Sequence, residues 1–558
     1  MSRSFSPSRR RFLVSTAFAT SGTLLGGCVR RIPSWLPPTS PDPPLTIDVH
    51  CHFFNGTDLQ MKGFLSETVN SEGNHWAGPQ AASLAADIIE WGIAPTAKSE
   101  KKKLDSRAIS QQKARERWEK AHAAQSDKLR RQLEQPQAQA ILNANGTSPP
   151  SKQPKNAEPL KEGGTKEALE EYVQYRYVAL FDYLNLYNDD PSTKRKIDLA
   201  IAHLVDYDWP LNHGRKTKTS LNDQVELMKQ ISIVSQGRVH TFAPFCPLRE
   251  VAFRANIRVK GVTNWSSLEM VQRGMKESGC IGVKLYPTMG FAPYGNAQIP
   301  PDYWDGQWKD WLPKPESVKG KDGGVATIGE RLDEVLGELY AWCLENDVPI
   351  MAHSERSNGL STKFNSFAGA EHWAALRASK FGNLRLNLGH LGGIEETSAA
   401  DWSTSPDATS RDVNARDLVV LMSADSTAAG GRFYGDSAYN EKVLTDLKKL
   451  QDVYRAALSW KSADQPRPLL PDRMMYGSDW SLLMLEQDMK SYFSDFVTLY
   501  AGIDSTGSLS EKFFGENAVD YLGLQDGATR QRLVNFYKDN QVKFDHGGQP
   551  IWMQKITT

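Results

Sequence analysis

Short apolar stretches that read as strands alternate with longer helical stretches along most of the chain. The first strand ends in the motif His50-Cys51-His52, and three later strands end in a histidine or an aspartate. Parallel strands joined by crossover helices are the sequence signature of a (β/α)8 barrel, whose site residues lie where the strands end. The sequence therefore predicts an α/β fold, a (β/α)8 TIM barrel, with a long charged helical insertion after strand 1.

The individual strands and helices can be placed from hydrophobic periodicity. Runs of branched and aromatic residues mark the strands, and apolar residues three or four positions apart mark the helices. The predicted strands are Thr46–Val49, Ile197–Asp206, Val239–Pro244, Gly282–Pro287, Pro349–His353, Arg385–His390, Gly431–Ala438 and Arg473–Asp479. The predicted helices are Glu167–Leu186, Leu221–Ser235, Ser267–Lys276, Arg331–Glu345, Ala370–Phe381, Ala415–Met422 and Glu441–Leu458.

Length and charge narrow the class of protein. The chain has 558 residues, 40% of them hydrophobic and 10% aromatic, which is enough for the core of a large barrel. It carries 66 Lys and Arg and 66 Asp and Glu, so its formal net charge is zero. This balance argues against a protein that binds nucleic acid by neutralising phosphates, and it is compatible with an enzyme that takes a small-molecule substrate.

The first 28 residues resemble a bacterial twin-arginine export signal that ends at a lipoprotein cleavage site. Arg9 and Arg10 precede the apolar run Leu13–Leu25, which is too short to span a membrane. The resemblance implies that Cys28 is lipidated and becomes the new N-terminus. The protein would then be periplasmic or a membrane-anchored lipoprotein, held by a lipid and not by a spanning helix. The alternative is a basic leader with an incidental cysteine.

The rest of the chain divides into a tether, a barrel and a C-terminal extension. Residues 29–44 are rich in Pro and Ser, which is typical of a flexible tether. The barrel is expected over 45–524, with a helical insertion and linker at about 98–164, where residues of high helix propensity and high charge concentrate. Residues 525–558 form an extension to which the sequence assigns no role.

Polar residues at the strand ends predict a metal site. His50 and His52 are expected to face the same side of their strand, because side chains alternate with a period of two. Two adjacent imidazoles make half of a zinc-like site. His353 and His390 end the fifth and sixth strands, and Asp479 ends the eighth. A single histidine at a strand end is more often structural, but this set in this order favours a metal centre.

Five motifs carry a resemblance to a known family. They are Asp48–His52, Gly282–Pro287, Met351–Ser354, Asn387–Gly393 and Met475–Trp480. Together they are similar to the amidohydrolase superfamily, in particular to its amidohydrolase-related branch of metal-dependent (β/α)8 hydrolases and decarboxylases. The similarity extends over roughly Ile47–Leu524 and leaves out the leader, the insertion and the C-terminal residues.

The resemblance implies a role for each strand-end residue. His50, His52 and His353 would bind a divalent metal, and Asp479 would be a further ligand or the base beside it. His390 would hydrogen-bond the water that the metal activates, or the substrate oxygen. Three neutral imidazoles leave a zinc-like ion with an open position, and water there ionises near neutral pH. An adjacent carboxylate can take that proton and deliver it to the leaving group.

Lys284, on the fourth strand, decides between one metal and two. In binuclear members of the superfamily a lysine at this place is carboxylated and bridges two metals. Otherwise Lys284 would pair with Asp479 or with a substrate carboxylate. We expect one divalent metal, zinc, with manganese or iron also compatible, and two metals if Lys284 is carboxylated. Glu355, Arg356 and Tyr286 are further candidates for substrate contacts.

Three functions are compatible with these residues. The first is a metal-dependent hydrolase that attacks an amide, lactone or ester carbonyl with a metal-activated water. The second is a metal-dependent, non-oxidative decarboxylase of an aromatic or dienoic acid, which would use the same ligands. Export favours hydrolysis, since such decarboxylases are usually cytoplasmic. The third is a non-catalytic surface lipoprotein that keeps the barrel as a scaffold. Neither the substrate nor the oligomeric state follows from the sequence.

Changing Arg9 and Arg10 to lysine should hold the protein in the cytoplasm, because the export machinery reads the arginine pair. Cell fractionation followed by immunoblotting measures this. The same change at Arg30 and Arg31, which follow Cys28, is the matched control and should leave export intact. Unchanged fractionation of the first variant would contradict the export signal.

Overall fold

A computed structural model shows eight parallel strands, each paired with the next one along the chain. This arrangement confirms the predicted (β/α)8 barrel. The strands are β1 (Ile47–Cys51), β2 (Leu199–His203), β3 (Val239–Pro244), β4 (Cys280–Leu285), β5 (Ile350–His353), β6 (Leu386–Gly389), β7 (Phe433–Asp436) and β8 (Met474–Met475).

Hydrogen bonds between the ends of the first and last strands close the barrel. The N–H of Val49 donates to the carbonyl of Tyr476 at 3.0 Å. The N–H groups of Ser478 and Asp479 both donate to the carbonyl of His50, at 3.1 and 2.7 Å. Closure therefore brings the residues after β8 against the end of β1, where the His-x-His motif lies.

The structure describes residues 44–58, 94–105, 174–207, 217–256, 265–304, 326–403, 413–422, 432–544 and 548–557, apart from 358, 464, 485 and 487, together with 36, 40 and 42. The proposed signal over 1–28, including Cys28, lies outside these residues, as does most of the predicted insertion. Among the described residues, no helix is both long enough and apolar enough to cross a lipid bilayer.

Helices connect the strands in the predicted order. They are α1 (Ala97–Asp105), α2 (Arg176–Asn188), α3 (Leu221–Val234), α4 (Pro247–Arg254), α5 (Ser267–Glu277), α6 (Ile328–Glu345), α7 (Ala370–Ala378), α8 (Asn414–Val420), α9 (Lys442–Thr445), α10 (Leu447–Ser459), α11 (Trp480–Leu483), α12 (Tyr492–Ile503), α13 (Ser508–Glu511), α14 (Asn517–Leu522), α15 (Ala528–Asp539) and α16 (Ile551–Thr557).

Side-chain caps determine where several of these helices begin. The hydroxyls of Ser220 and Ser266 accept hydrogen bonds from N–H groups in the first turns of α3 and α5. Thr327 and Glu330 form a reciprocal capping box at the start of α6. Such caps satisfy backbone donors that have no partner within the helix. They place the helix starts close to the positions predicted from the sequence.

The barrel interior is filled by alternating strand residues. Leu199 and Ile201 of β2 point into an apolar interior cluster, whereas Ala200 and Ala202 face the surrounding helices. Gly282 of β4 makes room in this interior, because a Cβ atom there would lie 2.3 Å from the ring of Phe242. The barrel is thus a packed core beneath the strand ends, and not an open channel.

The C-terminal extension packs against the opposite end of the barrel, where the strands begin. Trp552 is buried, and its indole N–H donates to the carbonyl of Gly237 at 2.9 Å. The ammonium of Lys555 lies 2.8 Å from the carboxylate of Asp198, just before β2. Helices α15 and α16 therefore close the barrel at the end remote from the His-x-His motif.

His240 should make folding sensitive to acid. Its Nδ1 lies 2.9 Å from the carbonyl of Gly279 and its Nε2 lies 2.6 Å from the hydroxyl of Tyr537. Burial lowers the pKa of His240 from 6.5 to about 4. The unfolded chain therefore binds the proton more readily below pH 6.5, and the stabilisation present above that pH is lost as pH falls through 4.

From this shift we expect His240 to contribute about 3 kcal/mol to the loss of unfolding free energy between pH 7 and pH 4. Denaturant titrations of the wild type and of His240→Gln at both pH values measure it. The variant should lose less unfolding free energy than the wild type over this interval. Equal losses in both proteins would contradict the prediction.

Candidate functional site

An extra residue in β1 turns the His-x-His motif towards the barrel interior. From Asp48 to Cys51 the strand advances three residues, while β2 advances two, from Ala200 to Ala202. Such a bulge reverses which side chains face inward. Cys51 consequently faces the surrounding helices, and its thiol lies against β2. His50 and His52 share the other face, as the period of two predicted.

Three buried side chains form a group that could hold a metal ion. They are His50, His52 and Asp479, and one ligand atom from each lies within 4.8 Å of the others. Nε2 of His52 lies 3.4 Å from Oδ1 of Asp479. Two imidazoles and a carboxylate are a ligand set that zinc, manganese and iron accept.

Hydrogen bonds orient both imidazoles for metal binding. Nδ1 of His50 lies 3.2 Å from a carboxylate oxygen of Asp436, and Nδ1 of His52 lies 2.7 Å from the carbonyl of His203. Both partners can only accept, so each Nδ1 carries the proton and each Nε2 keeps its lone pair. The donor set therefore fits a divalent metal, with a supporting carboxylate or carbonyl behind each histidine.

The electrostatics of the site keep these imidazoles neutral. Burial lowers the pKa of His50 and of His52 well below 6.5, and the positive charge of Lys284 lowers both further. Neutral imidazole is the form that binds metals. The side chains are therefore in the required form at neutral pH without any rearrangement.

Asp436 is a residue whose role could not be predicted from the sequence. Besides His50, its carboxylate accepts hydrogen bonds from the amide of Asn387 at 2.7 Å and from the N–H of His390 at 2.9 Å. It ends β7, which the sequence predicted as a strand over Gly431–Ala438 without assigning a site residue to it. Its position at a strand end was the available signal.

His390 lies beside His50, at 4.9 Å between ring centroids. Its Nδ1 is 2.9 Å from the carbonyl of Ala438, which leaves Nε2 as the acceptor nitrogen. His390 and Asp479 both adopt left-handed backbone conformations, with φ of 62° and 53°. Such conformations are uncommon for residues other than glycine and cluster at functional sites, where the surrounding structure holds them.

His353 lies at the end of β5 but outside the group of His50, His52 and Asp479. Its ring is 4.9 Å from that of His390 and stacks on Tyr286 at 4.6 Å. Its role as a third histidine ligand stays a prediction.

Lys284 points into the interior because β4 also contains an extra residue. From Cys280 to Gly282 the strand advances two residues while β3 advances one. The ammonium lies 3.4 Å from Nε2 of His50 and 2.8 Å from the sulfur of Met351. Burial lowers the pKa of Lys284 to about 7, opposed by the charges of Asp479 and Asp436. Both a bridging role and a substrate contact stay predictions.

The two other charged candidates for substrate contacts lie in different surroundings. Arg356 forms an exposed ion pair with Glu371 at 2.8 Å, which directs it towards α7. Glu355 is buried, and its charge contributes to raising the pKa of Tyr286.

A continuous arc of aromatic rings borders the site. Phe54 stacks on His52 at 4.8 Å, and Tyr286 stacks on His353 at 4.6 Å. Tyr207 joins the two, at 6.2 Å from each of the rings of Phe54 and Tyr286. The arc forms an apolar wall along one side of the site, suited to a flat apolar group.

No protein-family model matches the chain, and no curated protein matches it. Among solved structures, 2,6-dihydroxybenzoate decarboxylase complexed with 2,6-dihydroxybenzoate is similar at 16% identity and a TM-score of 0.29, over 54% of this chain and 76% of that one. The 5-carboxyvanillate decarboxylase LigW from Sphingomonas paucimobilis is similar at 12% identity and a TM-score of 0.29, over 58% and 79%.

Asp436→Asn should weaken metal binding by roughly 10- to 100-fold, the usual effect of losing a carboxylate behind a ligand histidine. The amide can donate to Nδ1 of His50 and so moves the proton to Nε2. Zinc affinity measured by competition with a chelator tests this. Asp198→Asn, a buried aspartate at the other end of the barrel, is the control and should bind zinc normally. Normal affinity in Asp436→Asn would count against the orientation of His50 by this carboxylate.

Proposed function

We propose that the chain is a metal-dependent enzyme that acts on a small molecule bearing a carboxylate or carbonyl group. The observation that carries this proposal is the group of His50, His52 and Asp479 after the end of β1, in which the Nε2 atoms of both imidazoles are the unprotonated nitrogens. The proposed metal is zinc, with manganese or iron also accepted by these ligands. Similarity of the motifs to the amidohydrolase superfamily supports the same assignment.

A bound divalent metal would supply a Lewis acid that polarises a carboxylate or carbonyl oxygen and lowers the pKa of water. The remaining roles would belong to residues of the chain. His50 and His52 hold the ion, and Oδ1 of Asp479 is placed to accept or return a proton. Nε2 of His390 can take part in a hydrogen bond to a substrate group beside His50. The aromatic arc excludes water from one side.

The reaction that we place first is the non-oxidative decarboxylation of an aromatic or dienoic acid. The arc of Phe54, Tyr207 and Tyr286 supports it, because a planar conjugated substrate can pack along these rings. In this reaction the bond to the carboxylate breaks, carbon dioxide leaves, and the electron pair remains on the ring carbon. That carbon then takes a proton from Oδ1 of Asp479, which would enter the step as the neutral acid and regain its proton from water afterwards.

Hydrolysis of an amide, lactone or ester is the second candidate. It is supported by Asp479, a buried carboxylate that lies against the Nε2 of His52 and could take a proton from water. Sequence reasoning preferred hydrolysis because of the export signal. We place it second because that signal lies outside the described residues, whereas the aromatic arc borders the site itself. A non-catalytic scaffold would require a barrel that binds no metal.

Export through the twin-arginine route and a lipid anchor at Cys28 remain part of the proposal. The support for them is the arginine pair, the short apolar run and the cysteine that follows it.

Metal content per chain is the decisive measurement. Protein purified without chelators should contain about one zinc-like ion per chain, and His50→Ala should lose it, because one of the clustered ligands is gone. His240→Ala removes a buried histidine from the other end of the barrel and should keep the ion. About two ions per chain would instead support a carboxylated Lys284, and no ion would favour the scaffold.

Product analysis of the metal-loaded protein then separates the two reactions. Carbon dioxide release from a panel of hydroxylated benzoates and dienoic acids, lost in Asp479→Asn, is the expected result. Activity confined to esters, lactones or amides would reverse the order of the two candidates. Inactivity on both panels, with metal bound, would contradict the enzyme proposal for these substrate classes.

A further inference from the structure

His203 ends β2 and contacts the His-x-His motif from two directions. Its Nε2 lies 2.7 Å from the carbonyl of Val49, which is the residue just before His50. Its own carbonyl lies 2.7 Å from Nδ1 of His52. The sequence pattern predicted that β2 continues to Asp206. His203 was therefore not expected to end a strand and received no role.

The side chain of His203 lies inside the barrel, beside the candidate metal ligands. Leu199 and Ile201 belong to the interior cluster, and His203 continues their alternation on β2. The residue is fully buried. Its ring centroid lies 5.1 Å from that of His50 and 6.0 Å from that of His52, so the three imidazoles form a triangle.

The hydrogen-bonding pattern determines the tautomer of His203. A carbonyl can only accept, so Nε2 carries the proton that is donated to Val49. Nδ1 has no hydrogen-bond partner among the described residues. A buried polar atom without a partner costs free energy, on the order of 1–3 kcal/mol. This cost argues against a ring that serves only as core packing, for which an apolar side chain would be better.

The carbonyl that His203 binds lies within the bulge of β1. The extra residue falls between Asp48 and Cys51, and Val49 is in that interval. A bulge takes backbone groups out of the regular ladder, and these groups need other partners when they are buried. The imidazole N–H of His203 provides such a partner. It does so at the bulge, where the side chains of β1 switch between the inner and the outer face of the barrel.

We propose that His203 is a positioning residue for the metal site: its Nε2–H holds the carbonyl of Val49, maintains the bulge of β1, and so keeps His50 and His52 turned inward. This inference rests on the proposed metal site. It concerns the geometry of the two histidine ligands and does not require His203 to touch metal or substrate.

The test compares two variants whose side chains at position 203 differ in length. In His203→Gln the side-chain amide nitrogen can occupy the place of Nε2 and donate to Val49, whereas in His203→Asn the side chain is too short. Zinc affinity is measured by competition with a chelator, and the absorption spectrum of the cobalt-substituted protein reports the ligand geometry. The melting temperature of each variant is recorded alongside.

We expect His203→Asn to lose roughly tenfold or more in zinc affinity and to change the cobalt spectrum, as for other residues that orient metal ligands. His203→Gln should retain most of the affinity. The pair His240→Asn and His240→Gln is the matched control, because His240 is a buried histidine remote from the site. These two variants should bind zinc as the wild type does, even if they melt earlier.

Different failures can be told apart. If the wild type binds zinc and His203→Asn binds it equally tightly with the same cobalt spectrum, the inference about His203 is overturned and the metal site stands. Equal losses in His203→Asn and His203→Gln would overturn the role of the hydrogen bond to Val49. A wild type that binds no metal would overturn the proposed function and this inference together.

Discussion

The buried carboxylate of Asp48 is the contact on which the site depends. Its oxygens accept hydrogen bonds from the N–H of His50 at 2.9 Å and the N–H of Ser478 at 3.2 Å, and from the hydroxyl of Tyr183 at 2.5 Å. It thereby joins the end of β1 to the segment after β8. It reinforces the backbone hydrogen bonds from the N–H groups of Ser478 and Asp479 to the carbonyl of His50, which close the barrel at the same place.

A second carboxylate, Asp436, ties the other side of the site together. Its partners come from β1, from β6 and from the turn at His390. A buried charge is tolerated only when hydrogen bonds satisfy it, and removing one member leaves the others unpaired. The left-handed backbone of His390 is held within this network, whereas that of Asp479 is held by the hydrogen bond from its N–H to the carbonyl of His50. The two buried carboxylates, Asp48 and Asp436, therefore both bind to His50, one through its backbone N–H and the other through its imidazole.

The predicted strands agree with the structure where the sequence pattern depends on neighbouring residues along the chain. The strands ending near His50, His353 and His390 lie within a few residues of their predicted positions, and the predicted seventh strand is present as β7. The pattern failed where a strand end depended on its neighbours. Periodicity could not show that β2 stops at His203, since the apolar run continues to Val205. It also could not show that Asp436, at the end of β7, lies against the imidazole of His50.

By itself the sequence determined the order of the strands, the polar residues at their ends, and hence the end of the barrel that carries the site. These follow from side-chain periodicity, which is a property of neighbouring residues along one chain. The tertiary structure decided which nitrogen of each histidine faces the site, and that β1 and β4 each carry an extra residue that re-aims His50, His52 and Lys284. A proton position depends on the partner behind the ring, and a bulge depends on the register of the adjacent strand. In both cases the partner is distant in sequence and comes into contact only when the barrel closes.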